Sequence, residues 1–131
     1  MQIETSKPRV HLENLPQMSV DRNQIKQLFQ NLISNAIKFR KPDHTPVIHI
    51  KSRKEANSWV ITVIDNGIGF DQKYINKIFR PFQRLHGRLT YEGSGMGLAI
   101  CRKVAERHGG TISARSSPGE GASFIIRLPQ N

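Results

Sequence analysis

A single acid followed closely by two glycines, Asp65-Asn66-Gly67-Ile68-Gly69-Phe70, is the stretch of this chain most suited to chemistry. The glycines permit a sharp turn and let the backbone approach a ligand closely. The Asp65 carboxylate is left at the mouth of that turn. It can accept a hydrogen bond from the exocyclic amine of adenine, which the carbonyl of guanine cannot offer. The same acid could instead close its own turn on the backbone. A second glycine cluster, Gly93-Ser94-Gly95-Met96-Gly97, stands where a helix should open. Backbone amides there could hold phosphate oxygens, although a plain hinge would use the same residues. A third set is Asn31, Asn35 and Lys38. At about 100° per residue these fall within about 60° of one another on a helix. An asparagine carbonyl is a neutral oxygen ligand of the kind magnesium accepts, and a lysine one turn away can neutralise a phosphate. A solvated polar face would use similar residues. Asparagine is a poor helix former, however, and two of them four apart favour a chemical role. Together the three sets suggest a nucleotide, adenine at Asp65 and phosphates at the glycine-opened helix.

The elements that must position these residues follow from periodicity. Residues 8–14 alternate Val10 and Leu12 against polar neighbours, which predicts a half-buried strand. Asp21 is placed to cap a helix, with Gln24 three residues on to complete a capping box. Ile25, Leu28, Phe29, Leu32, Ile33, Ala36 and Ile37 then predict an amphipathic helix over about residues 21–39, with Pro42 beyond its end. Residues 47–54 and 59–64 read as an antiparallel strand pair, because the turn at Glu55–Ser58 is too short for a crossover. Asp71 can cap a short helix carrying Tyr74, Ile75, Ile78 and Phe79, stopped by Pro81. Residues 83–97 show no periodicity, and a loop that long suggests an active-site lid. Leu98 to His108 is the next helix, closed by Gly109-Gly110, and strands follow at 111–115 and 122–128. The predicted fold is an α/β sandwich: a mixed, largely antiparallel sheet of about five strands with three helices on one face.

Composition narrows the field. A chain of 131 residues suits one domain, here taken as 1–131. Its 37% hydrophobic and 23% charged residues are ordinary for a globular protein. No apolar run approaches the ~18–20 residues of a membrane span. Cys101 is the one cysteine, which excludes an intrachain disulfide, fits a reducing compartment and reads as a core residue. The net charge of +10 favours an anionic partner, although the charges are scattered. The five histidines have no metal-binding spacing.

The order of these motifs resembles the catalytic and ATP-binding domain of bacterial sensor histidine kinases, in the GHKL superfamily shared with gyrase-type topoisomerases, a heat-shock chaperone and mismatch-repair ATPases. Residues 31–39 resemble the family's N box, 65–69 its G1 box, 79–82 its F box and 93–97 its G2 box. The match covers nearly the whole chain, and residues 78–88 are most similar to the phytochrome- and PAS-linked subset. The resemblance implies a set of roles. Asn35 would bind Mg2+, with Asn31 beside the phosphates and Lys38 on a phosphate. Asp65 would bind adenine in a pocket shaped by Gly67 and Gly69. Gly95 and Gly97 would let the lid fold over the triphosphate, with Gly93 and Leu98 also among the ATP-binding residues. Phe79 and Phe82 would couple the lid to the domain bearing the phosphoacceptor. Hydrolytic relatives carry a glutamate where this chain has Asn31, and an amide is no general base, which favours transfer over hydrolysis. Arg40, Glu92 and Met96 depart from the family pattern without touching the proposed chemistry.

The expectation is therefore a cytoplasmic histidine-kinase catalytic domain, a fragment of a larger protein. It would hold Mg-ATP and pass the γ-phosphoryl to a histidine on a separate dimerisation domain, with a response regulator downstream. No histidine here has the acidic, helical setting of the family's phosphoacceptor, so the chain should not phosphorylate itself. Neither membrane insertion nor specific nucleic-acid binding is expected. A stand-alone ATPase or regulatory ATP-binding module of the same superfamily is the alternative, and a module binding nucleic acid or acidic protein through the basic surface is a third reading.

Overall fold

The computed structural model describes residues 9–13, 21–74, 77–79 and 97–129. Strand β1 (Arg9–Glu13) is followed by helix α1 (Arg22–Lys38), strands β2 (Val47–Glu55) and β3 (Ser58–Asp65), and a single 3-10 turn (Gln72–Tyr74). Helix α2 (Gly97–Arg107) and strands β4 (Thr111–Ser116) and β5 (Ala122–Pro129) complete the described elements. The five strands form one sheet in the order β1-β2-β3-β5-β4. Only the β1–β2 pair is parallel; the other three pairs are antiparallel. The expected α/β sandwich and mixed sheet are therefore present.

One face of the sheet is apolar because alternate residues of each strand point the same way. Ile48 and Ile50, Ile61 and Val63, and Phe124, Ile126 and Leu128 build that face. The helices cover it: α1 contributes Leu28, Leu32 and Ala36, and α2 contributes Cys101, Val104 and Ala105. Each leucine, isoleucine, valine or phenylalanine among them removed from water is worth roughly 1.5–3 kcal/mol. Cys101 Sγ also donates to the Leu28 carbonyl at 3.5 Å, a polar link between the two helices inside the core.

Two expectations need correction. The predicted capping box forms only by half. Asp21 Oδ1 accepts from the Gln24 amide at 3.0 Å, as a cap should. The returning bond is absent: the Asp21 amide instead donates to His108 Nε2 at 3.0 Å, and Gln24 Oε1 is buried with no partner among the described residues. His108 Nδ1 donates to the Val104 carbonyl at 2.8 Å, so one imidazole ties the end of α2 to the start of α1. The second correction concerns the short helix after Phe70. Among the described residues it amounts to the 3-10 turn, with Asp71 Oδ1 accepting from the Lys73 amide at 3.0 Å. Two α-helices stand among the described residues, and part of the expected third segment lies outside them. Ile75 and Pro81 lie outside the described residues.

The helix ends match their signals closely. Helix α1 stops at Phe39, before Pro42, and Arg40 Nη1 donates to the Ile37 carbonyl at 2.8 Å. Helix α2 ends in a Schellman closure, Gly110 N to Ala105 O at 2.8 Å and Gly109 N to Glu106 O at 2.9 Å. Among the described residues, no helix is long and apolar enough to cross a membrane.

Candidate functional site

Asp65 is the last residue of β3, opposite Ile48 of β2 and Ala122 of β5. The chain then leaves the sheet through residues 66–70, and Asn66, Gly67, Ile68 and Phe70 are each hydrogen-bonded there. Asn66 accepts from the Val47 amide at 2.8 Å and donates to the Thr45 carbonyl at 3.1 Å. The Ile68 amide donates to the Phe39 carbonyl at 2.9 Å, and the Ile68 carbonyl accepts from Gly119 at 2.6 Å. The turn thus joins the C-terminal end of α1 to the β4–β5 loop. Gly69 has φ +70 and a side chain there would strike the Ser117 carbonyl, so this position demands glycine. Gly67 passes so close to α1 that a Cβ would lie 2.6 Å from the Phe39 oxygen.

The Asp65 carboxylate is half-buried and unevenly used. Oδ1 accepts from the Gly67 amide at 2.8 Å and from the Ala122 amide at 3.2 Å. Among the described residues Oδ2 has no partner. Burial pushes this carboxyl above the ordinary aspartate value, and the bonds from Gly67 and Ala122 offset only part of that effect. A partly desolvated carboxylate with one oxygen fixed and one open is a directional acceptor. It suits a ligand N–H donor.

Helix α1 runs from this turn towards α2. Lys38 and Asn35 are half-buried near its C-terminal end, and Asn35 makes no side-chain hydrogen bond among the described residues. Asn31 lies seven residues before Lys38, about 10 Å back along the helix. Its Nδ2 is buried without a partner among the described residues, although it is close enough to Cys101 to favour the thiolate slightly. A Cβ on Gly97, the first residue of α2, would sit 4.0 Å from Asn31 Cβ. The structure therefore brings Asn31 to the N-terminal end of α2, and brings the Phe39 end of α1 to Asp65.

The remaining predicted residues divide. Leu98 is half-buried against the core. Phe79 is buried in the core, its ring edge-on to Phe124 with centroids 6.3 Å apart. That ring is packed inside the fold. Phe82, Gly93 and Gly95 lie outside the described residues, as does most of the expected lid. Sequence reasoning missed the Phe39 carbonyl, Gln72, Ser116 and Gly121. All four work through backbone groups or backbone-directed bonds, which residue type does not reveal. Gln72 brackets β4, donating to the Ala114 carbonyl at 3.1 Å and accepting from the Ser116 amide at 2.9 Å.

No cluster of three or more His, Cys, Asp or Glu able to hold a metal exists among the described residues. Magnesium does not need one when it is shared with a nucleotide, since it takes few protein ligands and keeps its waters. The unengaged Asn35 carboxamide, beside the orphaned Asn31 amide, fits such a shared ion.

Residues 20–131 match the family described as histidine kinase-, DNA gyrase B- and HSP90-like ATPases. The chain belongs to this family. It is 46% identical over 127 residues to the phytochrome-like protein Cph1 of Synechocystis, covering 97% of this chain and 17% of that protein. It is 50% identical over 115 residues to cyanobacterial phytochrome A of Nostoc, covering 88% of this chain and 15% of the relative. The chain thus spans about a sixth of the curated relatives it matches. The catalytic domain of histidine kinase ThkA superposes with a TM-score of 0.78 at 28% identity, covering 98% of this chain and 84% of that one. Within the family, the chain is a histidine-kinase-type catalytic domain. The resemblance to the phytochrome-linked subset agrees with these relatives.

Proposed function

We propose that this chain binds Mg-ATP and donates its γ-phosphoryl group to a histidine on a separate dimerisation and phosphoacceptor domain, in a cytoplasmic two-component pathway ending in a response regulator. The observation that carries this reading is the Asp65 carboxylate, fixed by two backbone amides through Oδ1 and open at Oδ2. Family membership supports ATP as the nucleotide.

In this reading Asp65 Oδ2 accepts from the adenine amine, while Gly67 and Gly69 keep the turn free of side chains. Lys38 neutralises a phosphate. The Asn31 Nδ2 group, which lacks a hydrogen-bond partner among the described residues, donates to a phosphate oxygen. Asn35 contributes an oxygen to magnesium, and the ion neutralises charge on the phosphate chain when bound. Phosphoryl transfer is largely positioning and charge neutralisation, so the protein needs no nucleophile of its own. Asn31 cannot activate water, which favours transfer over hydrolysis. The described histidines stand on strands (His11, His49), in a loop (His44) and after α2 (His108), and none is a helix-borne acceptor.

The test is a calorimetric titration of the folded chain with ATP, with GTP, and with ATP after magnesium removal. ATP should bind in preference to GTP, and chelation should weaken it. Addition of a separate phosphoacceptor domain should then yield phosphohistidine on that domain. Phosphohistidine on the isolated chain, or steady phosphate release without an acceptor, would overturn the transfer reading.

A further inference from the structure

Ser116 ends β4, and its hydroxyl reaches beyond the ladder into the turn that carries Asp65. Ser116 Oγ accepts from the Phe70 amide at 2.8 Å and donates to the Gly121 carbonyl at 2.5 Å. The Gly121 carbonyl and the Ala122 amide are two ends of one planar peptide group. Ser116 holds the oxygen end, and Asp65 Oδ1 holds the N–H end at 3.2 Å. Turning that peptide plane would remove one of the two backbone bonds that fix Asp65 Oδ1, leaving the Gly67 amide alone. The register places all three residues in one row: Asp65 pairs with Ala122, and Ala122 pairs with Ser116.

The surroundings leave the hydroxyl little freedom. Gly121 has φ +76, and a side chain there would strike the Asp65 carbonyl, so β5 begins hard against β3. A Cβ on Gly69 would come within 2.9 Å of the Gly121 oxygen and 3.0 Å of Ser116 Oγ. The Ser116 backbone amide is separately fixed by Gln72 Oε1 at 2.9 Å. One small hydroxyl therefore joins the end of the glycine turn to the peptide that orients Asp65. Alanine would leave the Phe70 amide and the Gly121 carbonyl, both partly buried, without their partner.

We propose that Ser116 is a positioning residue for the nucleotide site: it touches no ligand and sets the direction of the Asp65 carboxylate through the Gly121–Ala122 peptide. This rests on Asp65 reading adenine as proposed above, and the control is ATP binding by the unaltered chain. If that chain does not bind ATP, the functional reading fails and this one with it. If it binds ATP and Ser116→Ala binds equally well, only the role of Ser116 is refuted.

The experiment measures ATP affinity by calorimetry, and amide exchange by NMR without nucleotide, for Ser116→Ala, Ser116→Thr and Ser116→Cys. Ser116→Ala should weaken ATP about tenfold, or about 1.4 kcal/mol. Ser116→Thr keeps the hydroxyl and should restore affinity to within about threefold, and Ser116→Cys, a weaker donor, should fall between. The Ala122 amide should lose protection in Ser116→Ala while the Ser113 and Ile125 amides further along the ladder keep theirs. The idea is overturned if protection falls throughout β4 and β5, or if threonine fails to restore binding. If Ser116→Ala does not fold, the order serine, threonine, cysteine decides the matter: equal affinities refute the role.

Discussion

Replacing Asp65 by asparagine separates recognition from stability, because the two effects should have opposite signs. Asparagine keeps an oxygen to accept from Gly67 and Ala122 and puts an NH2 donor where the open Oδ2 stands. The adenine amine then faces a donor. A hydrogen bond to a charged group contributes roughly 1.5–3 kcal/mol, so ATP should bind on the order of 10- to 150-fold more weakly. Folding should respond differently. Burial raises the Asp65 pKa above its ordinary value of 3.8, so the folded chain holds this proton more tightly than the unfolded chain. Asp65 therefore contributes stability that is fully present below pH 3.8 and is lost as pH rises through the folded value. At neutral pH the buried charge is a net cost that asparagine removes. Asp65→Asn should be at least as stable as the parent at pH 7, and the difference in its favour should shrink on acidification. Urea unfolding across pH 4–8 measures the second effect and calorimetry the first. A variant that binds ATP within threefold of the parent, or that loses more than about 1 kcal/mol of stability at pH 7, would refute the assignment of Oδ2 and the account of its burial.

Other outcomes follow from the same geometry. His108→Ala removes the acceptor of the Asp21 amide and the donor to Val104, and should lower stability by about 1–2 kcal/mol in urea. Gly69→Ala forces a side chain against the Ser117 carbonyl at φ +70, and should abolish nucleotide binding and lower the melting temperature by several degrees. Leu32→Ala empties a site that is 1% exposed and should cost about 2–5 kcal/mol without changing the ATP:GTP preference of the molecules still folded. The Cys101 thiol is buried and its pKa pushed up to about 12, so a disulfide-exchange reagent at pH 8 should react only at the rate of unfolding. Fast reaction in native buffer would contradict that burial.

Residue order carried much of this protein. The apolar steps from Ile25 to Ile37 fixed α1, because a helix must bury one stripe and that stripe has a period of 3.6. Alternation along β2, and the short turn before β3, fixed an antiparallel pair for a similarly local reason. Asp65 and its glycines were legible because few other residue types tolerate that turn. Pairings between distant segments were not. Gln24 sits where a capping box would place it, yet His108, 87 residues from Asp21, takes the Asp21 amide instead. Tyr74, Ile78 and Phe79 carry helical spacing, and among the described residues Gln72–Tyr74 form a 3-10 turn while Ile78 and Phe79 are buried in the core. Phe79 belongs to a motif that the resemblance reads as a coupling element, and which ring it meets in the core, Phe124, 45 residues on, is decided by the fold. Ser116 gave no signal, since a serine at a strand end is commonplace. Its importance lies in the peptide group it meets 5 residues later and the amide it meets 46 residues earlier. Local periodicity and steric demand act over a few residues and can be read along the chain. The partner of a buried amide or the orientation of a peptide plane depends on which distant backbone arrives beside it, and only the folded sheet decides that.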